Sequence, residues 1–584
     1  MRSADGQPIR PEVQRPSPPL TIRHLRVALS ILLAVCICAA PGLAQLLQSE
    51  NQWNTVHGTV INAVTHDPIG RALVYSPDNR YATFTDGEGH FEFTLPKQAA
   101  DSAGAASSTG AGRLSWLMAR KPGFLDHPNG EGVRRVEVTP GTEVTIALVP
   151  EALIKGRVTL SAAEPANRVN VQLFWRQVQD GSLRWIAKNS VRTNSNGEFR
   201  FAELQPGTYK VLTSEWMDND PEATVPGGQL YGFPPVYYPS ATDFASASTI
   251  QLTAGQTFQA DLTLVRQPYY PVKIPVSNIA ENGGLNITVS RQGLRGPGYS
   301  LGFNRRSGTI EGQLPNEKYL IEAAANGPDS STSGSVNITV AGARVEGPGM
   351  VLTRNNSIPV IVREEFSSKD SDSHSFWSDG KHTYPMHGPR LDLQITADAV
   401  DDFDEQRRGS LREPTGPNDD SLILENLAPG RYWLRLTANR GYVASASMGG
   451  TDLLREPLGV VPGASTPIEI TMRDDNAELD GTLLGVPPAS AESTRSTPAG
   501  YVYCLPLPDS PGQFLELAAS PDGKFDYQMV TPGVYRVMAF GSPQRELPYR
   551  DTEAMKTYEA KSQVVHFAPG QKAILQLEIS SSVE

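Results

Sequence analysis

The octapeptide LQPGTYKV at 204–211 returns as LAPGRYWL at 427–434 and as VTPGVYRV at 530–537, with a looser copy, LPNEKYLI, at 314–321. Each full copy sets an apolar residue five places before a tyrosine, with a Pro-Gly pair between them and apolar residues after. Proline presets φ for a turn and glycine takes backbone conformations closed to other residues, so each copy reads as a turn leading into a strand. A chain that repeats such a device at long intervals is expected to be an array of β-modules.

The spacing resembles the tyrosine corner of Greek-key sandwiches, where the phenol crosses the turn and bonds to backbone a few residues upstream. Tyr209, Tyr432 and Tyr535 are therefore expected to be buried and structural. Tyr319 keeps its leucine, Leu314, but the proline moves one place and Glu317 replaces the glycine. That corner is expected to be distorted.

Two further signals recur in a shared order. An apolar-x-Gly-x-apolar strand opens modules as VHGTV (56–60), IKGRV (154–158) and LDGTL (479–483). TDGEGHFEF (85–93), TNSNGEFRF (193–201) and SPDGKFDY (520–527) then place a glycine turn before alternating aromatics, the pattern of a tight hairpin feeding a largely covered strand. An apolar strand pair closes each module, at 136–149, 250–265, 338–353, 459–472 and 565–579. These endings divide the chain into expected sandwiches at 53–150, 151–265, 266–354, 355–472 and 473–584, where the 584-residue length alone suggests roughly four domains. The 52 glycines and 47 prolines suit a turn-rich all-β chain. The stretches 97–112, low in complexity, and 401–420, highly charged, read as inserted surface loops.

Residues 1–44 read as an export signal: a polar segment with Arg10, Arg15, Arg23 and Arg26, the apolar run VALSILLAVCICAA (27–40), then small residues and cleavage after Ala44. The run is short for a spanning helix, and an uncleaved segment would leave a membrane anchor. An exported chain in the periplasm, at the cell surface or secreted is expected. Cleavage leaves Cys504 as the single cysteine, so no internal disulfide can form and packing must stabilise each module. The formal net charge of −12 falls to −15 without the signal. No basic run follows, which argues against nucleic acid as a partner, and no later segment reads as a membrane span.

GTVINAVTHDPIGRALVYSPDNRYATFTDGEGHFEFTLP (58–96) resembles carboxypeptidase regulatory-like domains, the prealbumin-like sandwich also grouped with carbohydrate-binding-like folds. GRVTLSAAEPANRVNVQLF and NGEFRFAELQPGTYKV resemble the same family, and PGRYWL and DGKFDYQMVTPGVYRV do so more weakly. The resemblance implies a tandem array of Greek-key β-sandwiches in an exported bacterial protein and a non-catalytic, accessory role.

No histidine begins the His-x-x-Glu pair of zinc carboxypeptidases, and no His-Glu-x-x-His occurs, so no metal or other cofactor is expected. GYSLG (298–302) matches a nucleophile elbow around Ser300, but that elbow needs a helix after the serine and none is patterned there. His374, His382 and His387 crowd one loop without a completing acid or cysteine. Cys504, in the alternating YVYCLPL, reads as a packed thiol.

QLYGFPPVYYPSATDF (229–244) holds Tyr231, Phe233, Tyr237 and Tyr238 among prolines, and reads as a long loop. Stiff aromatics on a loop can stack on sugars or anchor a protein; they can equally fold back over their own sandwich. These four are the candidate ligand-binding residues. Three functional readings follow: an exported non-enzymatic protein binding a glycan or a cell-surface partner, a structural spacer without ligand, or a serine hydrolase at Ser300.

Overall fold

The computed structural model describes residues 55–94, 116–125, 136–138, 143–179, 181–218, 228–279, 284–326, 331–367, 376–378, 383–385, 392–400, 403, 407–415, 419–486, 498–508, 510–544 and 547–580. The export signal, the low-complexity stretch and the three loop histidines lie outside the described residues. The protein is almost entirely β, arranged as sandwich or barrel-like layers. A short helix, Thr552–Met555, runs on into a 3₁₀ turn, Lys556–Lys561. No helix among the described residues is long and apolar enough to cross a membrane.

One pairing pattern recurs five times. The opening strands are Thr55–Asn62, Ala152–Leu160, Gln267–Ser277, Asn356–Glu365 and Ala477–Leu484. Each pairs antiparallel with a central strand: His90–Thr94, Glu198–Leu204, Thr309–Pro315, Leu422–Leu427 and Lys524–Val530 respectively. Each also pairs in parallel with strands that close the same stretch of chain, such as Val144–Leu148, Ile468–Arg473 and Lys572–Ser580. Parallel neighbours need a crossover, so the intervening strands must form the facing layer.

The described residues fall into two compact units, one ending at Glu151 and the other beginning at Ala152. In the first unit the facing layer is Ala82–Phe84, Leu73–Tyr75, Trp116–Arg120 and Val136–Glu137, and Val60, Val74, Leu117 and Ile146 form the core. In the second unit, strands Ser182–Arg192, Asn170–Gln179, Gly207–Thr213 and Ile250–Leu252 face the layer of Ala152–Leu160. The stretch 356–473 joins its layers into one nine-stranded sheet. Arg408–Leu411, inside the charged stretch expected to be a loop, is a strand of that sheet, paired to Leu393–Ala399 and Leu422–Leu427.

The glycine turns differ from expectation. Gly89, Gly197 and Gly523 do take positive φ, at 78°, 74° and 81°. The strands on either side do not pair as hairpins, however. Ser182–Arg192 pairs with Asn170–Gln179, while Glu198–Leu204 pairs with Ala152–Leu160. The turn thus carries the chain from one layer to the other. The strand after it is buried on one face, since Phe199 and Phe201 point inward while Glu198 and Arg200 are exposed; alternate positions share a face. Thr85 and Thr193, at the start of two such turns, are buried, each donating its hydroxyl to a carbonyl, of Ile69 and of Ala166, at 2.6 Å.

All four tyrosine corners form. Tyr209, Tyr432 and Tyr535 are buried and donate to the carbonyls of Gln205, Ala428 and Thr531 at 2.8, 2.7 and 2.7 Å. Tyr319 does the same to Pro315 at 3.1 Å, so the expected distortion amounts to a longer bond. Glu317 fits because its φ is not positive, and neither is that of Gly533 in the intact copy.

Candidate functional site

The Pro-Tyr segment is a seam. Leu230–Phe233 is a strand, not the expected loop, and it pairs antiparallel with Gln267–Ser277, extending the sheet of the following module. Tyr231 is half-buried, with the Arg266 guanidinium 4.0 Å from its ring centre. Phe233 is buried and stacked on Trp216. Tyr237 is buried, its hydroxyl donating to the Pro297 carbonyl at 2.6 Å, and burial raises its pKa. Tyr238 is half-buried, its ring edge-on to Phe258. The structure gathers all four against protein. Proline-rich segments look like loops because proline lacks a ladder donor; here Leu230–Phe233, which contains no proline, supplies the strand.

Glu215 and Ser300 meet at the same seam. Ser300 lies between strands Leu294–Tyr299 and Gly302–Asn304, so the helix a nucleophile elbow requires is replaced by a strand. Its backbone N–H and hydroxyl both donate to Glu215 Oε1, at 2.7 and 2.9 Å. Glu215 Oε2 and the Tyr269 hydroxyl are sealed from solvent without a hydrogen-bond partner. Desolvation pushes the Glu215 carboxyl up to about 7 against the pull of the Ser300 bonds. Both donors of the turn serine are thus spent on one carboxylate oxygen, which ties the two segments together. Cys504 is buried, and desolvation pushes its thiol up to about 12, the state of a packed and unreactive group.

A concave feature lies elsewhere in the second unit, a cavity of about 590 Å³ between Gly430–Ala438 and residues 505–559. Strand alternation builds one wall. Tyr432, Leu434 and Leu436 point into the core, so Trp433, Arg435 and Thr437 point out. The opposite wall includes Phe514, Met529, Arg536, Tyr549 and Arg550. Leu547 and Met555 anchor this wall in a small core with Tyr503, Met538 and Phe540. Asp551 caps the helix between them, accepting from the N–H groups of Glu553 and Ala554.

Two rings stack in the cavity wall, and the Arg550 guanidinium links them to Trp433. Phe514 lies flat on Tyr549, with centroids 4.7 Å apart and planes 16° apart. The Arg550 guanidinium stands 5.5 Å from the Tyr549 ring centre and 4.4 Å from that of Trp433. Arg455 pairs with Asp452 at 3.4 Å, and Arg536 donates through Nη2 to Glu559 at 3.2 Å. The Nε–H of Arg536 is sealed from solvent without a hydrogen-bond partner. In the sequence, RYWLRL does place Trp433 and Arg435 on one outward face. The wall they meet lies 70 to 126 residues further along the chain, beyond any local pattern.

No family model matches the chain, and no curated protein matches it. Among solved structures, a streptococcal ancillary pilin is similar at 11% identity over 51% of this chain and 99% of that one, with a TM-score of 0.17. The pilus adhesin SpaC of Lactobacillus rhamnosus GG is similar at 11% identity over 51% of this chain and 42% of that one, with a TM-score of 0.16. A major pilin subunit of Bacillus cereus is similar at 9% identity over 73% of this chain and 99% of that one, with a TM-score of 0.12. Likenesses at this level do not extend to a shared whole-chain fold and bear on no functional reading.

Proposed function

We propose that this chain is an exported, non-enzymatic, multi-module binding protein, with sandwiches at 53–150, 151–265, 266–354, 355–472 and 473–584 following a signal at 1–44. Its ligand-binding place is the cavity walled by Trp433 and Tyr549, and its partner is a glycan or cell-surface component. The cavity is the observation that carries this reading: it is concave, of the size of small-ligand sites, and combines large rings with a few polar groups.

The packing of the second unit speaks against a spacer. A spacer sets distance by holding modules in line, yet residues of distant modules meet here. Arg184 donates to the Ala399 carbonyl, Phe403 packs on Phe174 and Phe244, and the Arg550 N–H donates to the Gly181 carbonyl at 2.8 Å. Such folding back creates clefts at the cost of reach. A glycan array probed with residues 45–584 tests the reading, with Trp433→Ala and the exposed Arg435→Ala as controls. Binding that both variants lose without a fall in melting temperature supports it; binding that neither variant changes places the site elsewhere.

A further inference from the structure

We infer that the contact of Glu215 with Gly298 and Ser300 is a proton-operated latch: it holds while the carboxyl keeps its proton and yields locally when the proton leaves. The contact joins Glu215 and Ser300 across 85 positions of the chain. The Glu215 N–H donates to the Gly298 carbonyl at 2.9 Å, and Oε1 accepts from the Ser300 N–H and hydroxyl at 2.7 and 2.9 Å. An oxygen that accepts from two donors is the carbonyl oxygen of a neutral carboxyl, so the proton belongs on Oε2.

Oε2 is where ionisation is costly. It is sealed from solvent without a hydrogen-bond partner, and so is the hydroxyl of Tyr269. The titratable groups that face the carboxyl are phenols, Tyr269 from Gln267–Ser277 and Tyr299 from Leu294–Tyr299. The cations of the surrounding segments have acids of their own: Arg266 pairs with Asp218, Lys273 with Glu311, Arg291 with Glu317 and Arg295 with Glu322. A neutral carboxyl fits such a place, whereas an anion would be buried without an answering charge. Desolvation accordingly pushes Glu215 up to about 7. The latch is therefore fully shut below the ordinary glutamate range and weakens as pH rises from there through about 7.

The segments that the latch joins are weakly held otherwise. Glu215 leads into Trp216–Met217, a two-residue strand paired to Leu230–Phe233. Leu294–Tyr299 meets Asn286–Arg291 at Leu294 and Tyr299, with an irregular register between them. Behind them, Gln267–Ser277 and Thr309–Pro315 are paired through seven consecutive residues. Segments held by few bonds open at lower cost than the whole fold, so loss of the latch frees 214–217 and 298–304 first. Ser300 is exposed, so water enters at that end. Tyr237 keeps its bond to the Pro297 carbonyl and limits the opening to the stretch beyond it.

Hydrogen exchange of the full chain, read by mass spectrometry at pH 5 and pH 8 and corrected for the intrinsic exchange rate, tests the latch. In the native protein, 214–217 and 298–304 should be less protected than Thr309–Pro315 at both pH values and should lose roughly tenfold or more of their protection between them. Glu215→Gln, neutral throughout, should show no such loss. Ser300→Ala removes one bond and leaves the titrating group, so it should lower protection at both pH values and keep the dependence on pH. Protection equal to that of Thr309–Pro315 would mean that these residues open only with the whole fold, and it overturns the latch. A loss that Glu215→Gln shares overturns it as well. If Glu215→Gln does not fold, the native and Ser300→Ala profiles carry the test, and absence of a pH dependence in either overturns the latch.

Discussion

The ring of Phe199 fills the space where a side chain on Gly156 would stand. The two are register partners on adjacent strands, and a Cβ on Gly156 would come within 2.7 Å of Phe199 Cζ. Phe91 stands in the same relation to Gly58, and Phe525 to Gly481. In these three pairs the glycine of the opening strand and the aromatic of the central strand are therefore one device, separated in sequence and joined by the fold. Gly156→Ala should destabilise the fold around it by about 1–3 kcal/mol, because neither the Ala260 carbonyl, which a Cβ would meet first, nor the ring can give way. Hydrogen exchange along Ala152–Leu160 would register the loss, and unchanged protection would contradict the account.

The corners make a second test. Tyr209→Phe and Tyr319→Phe each remove one buried hydroxyl and strand a buried carbonyl, so each should cost about 1 kcal/mol. Denaturant titration would show this as a shifted midpoint with an unchanged slope. A neutral Tyr319→Phe alone would mean that the 3.1 Å bond to Pro315 contributes nothing.

The seam should respond to pH through Glu215. Its carboxyl is held at about 7 in the folded protein, above the ordinary glutamate range to which the unfolded chain returns. Between those two values the folded state keeps a proton that the unfolded state has released, so stability falls as pH rises through the window. The slope approaches about 1.4 kcal/mol per pH unit at most, and full stability is present below it. Urea midpoints should therefore drop from pH 5 to pH 8 in the native protein relative to Glu215→Gln. Parallel profiles for the two proteins would remove Glu215 as the cause.

Tyr237 separates seam from site. With its ring buried and its hydroxyl on Pro297, Tyr237→Ala should lower stability by about 3–5 kcal/mol, while Tyr237→Phe should cost about 1 kcal/mol. Thermal unfolding of the two variants would show it. An alanine variant of native stability that had lost glycan binding would return the ligand site to the Pro-Tyr segment.

What was legible in the sequence is what depends on neighbours along the chain. The corner of Tyr209 joins it to Gln205, four residues away, and the positive φ of Gly197 is a property of one residue. Residue type and spacing are enough to announce both, and with them the β-class and its repeats. The partners of a strand are another matter. Nothing near Asn196 and Gly197 says that the next strand pairs with Ala152–Leu160 instead of turning back as a hairpin, because pairing is settled by which layer needs its apolar face covered. Leu230–Phe233 became a strand because the edge of Gln267–Ser277 was open to it, which packs Tyr231 and Phe233 against protein in place of the expected loop. Trp433 and Arg550 stand more than a hundred residues apart in the chain, and the cavity between them exists through the packing of strands distant in sequence, which no local pattern encodes.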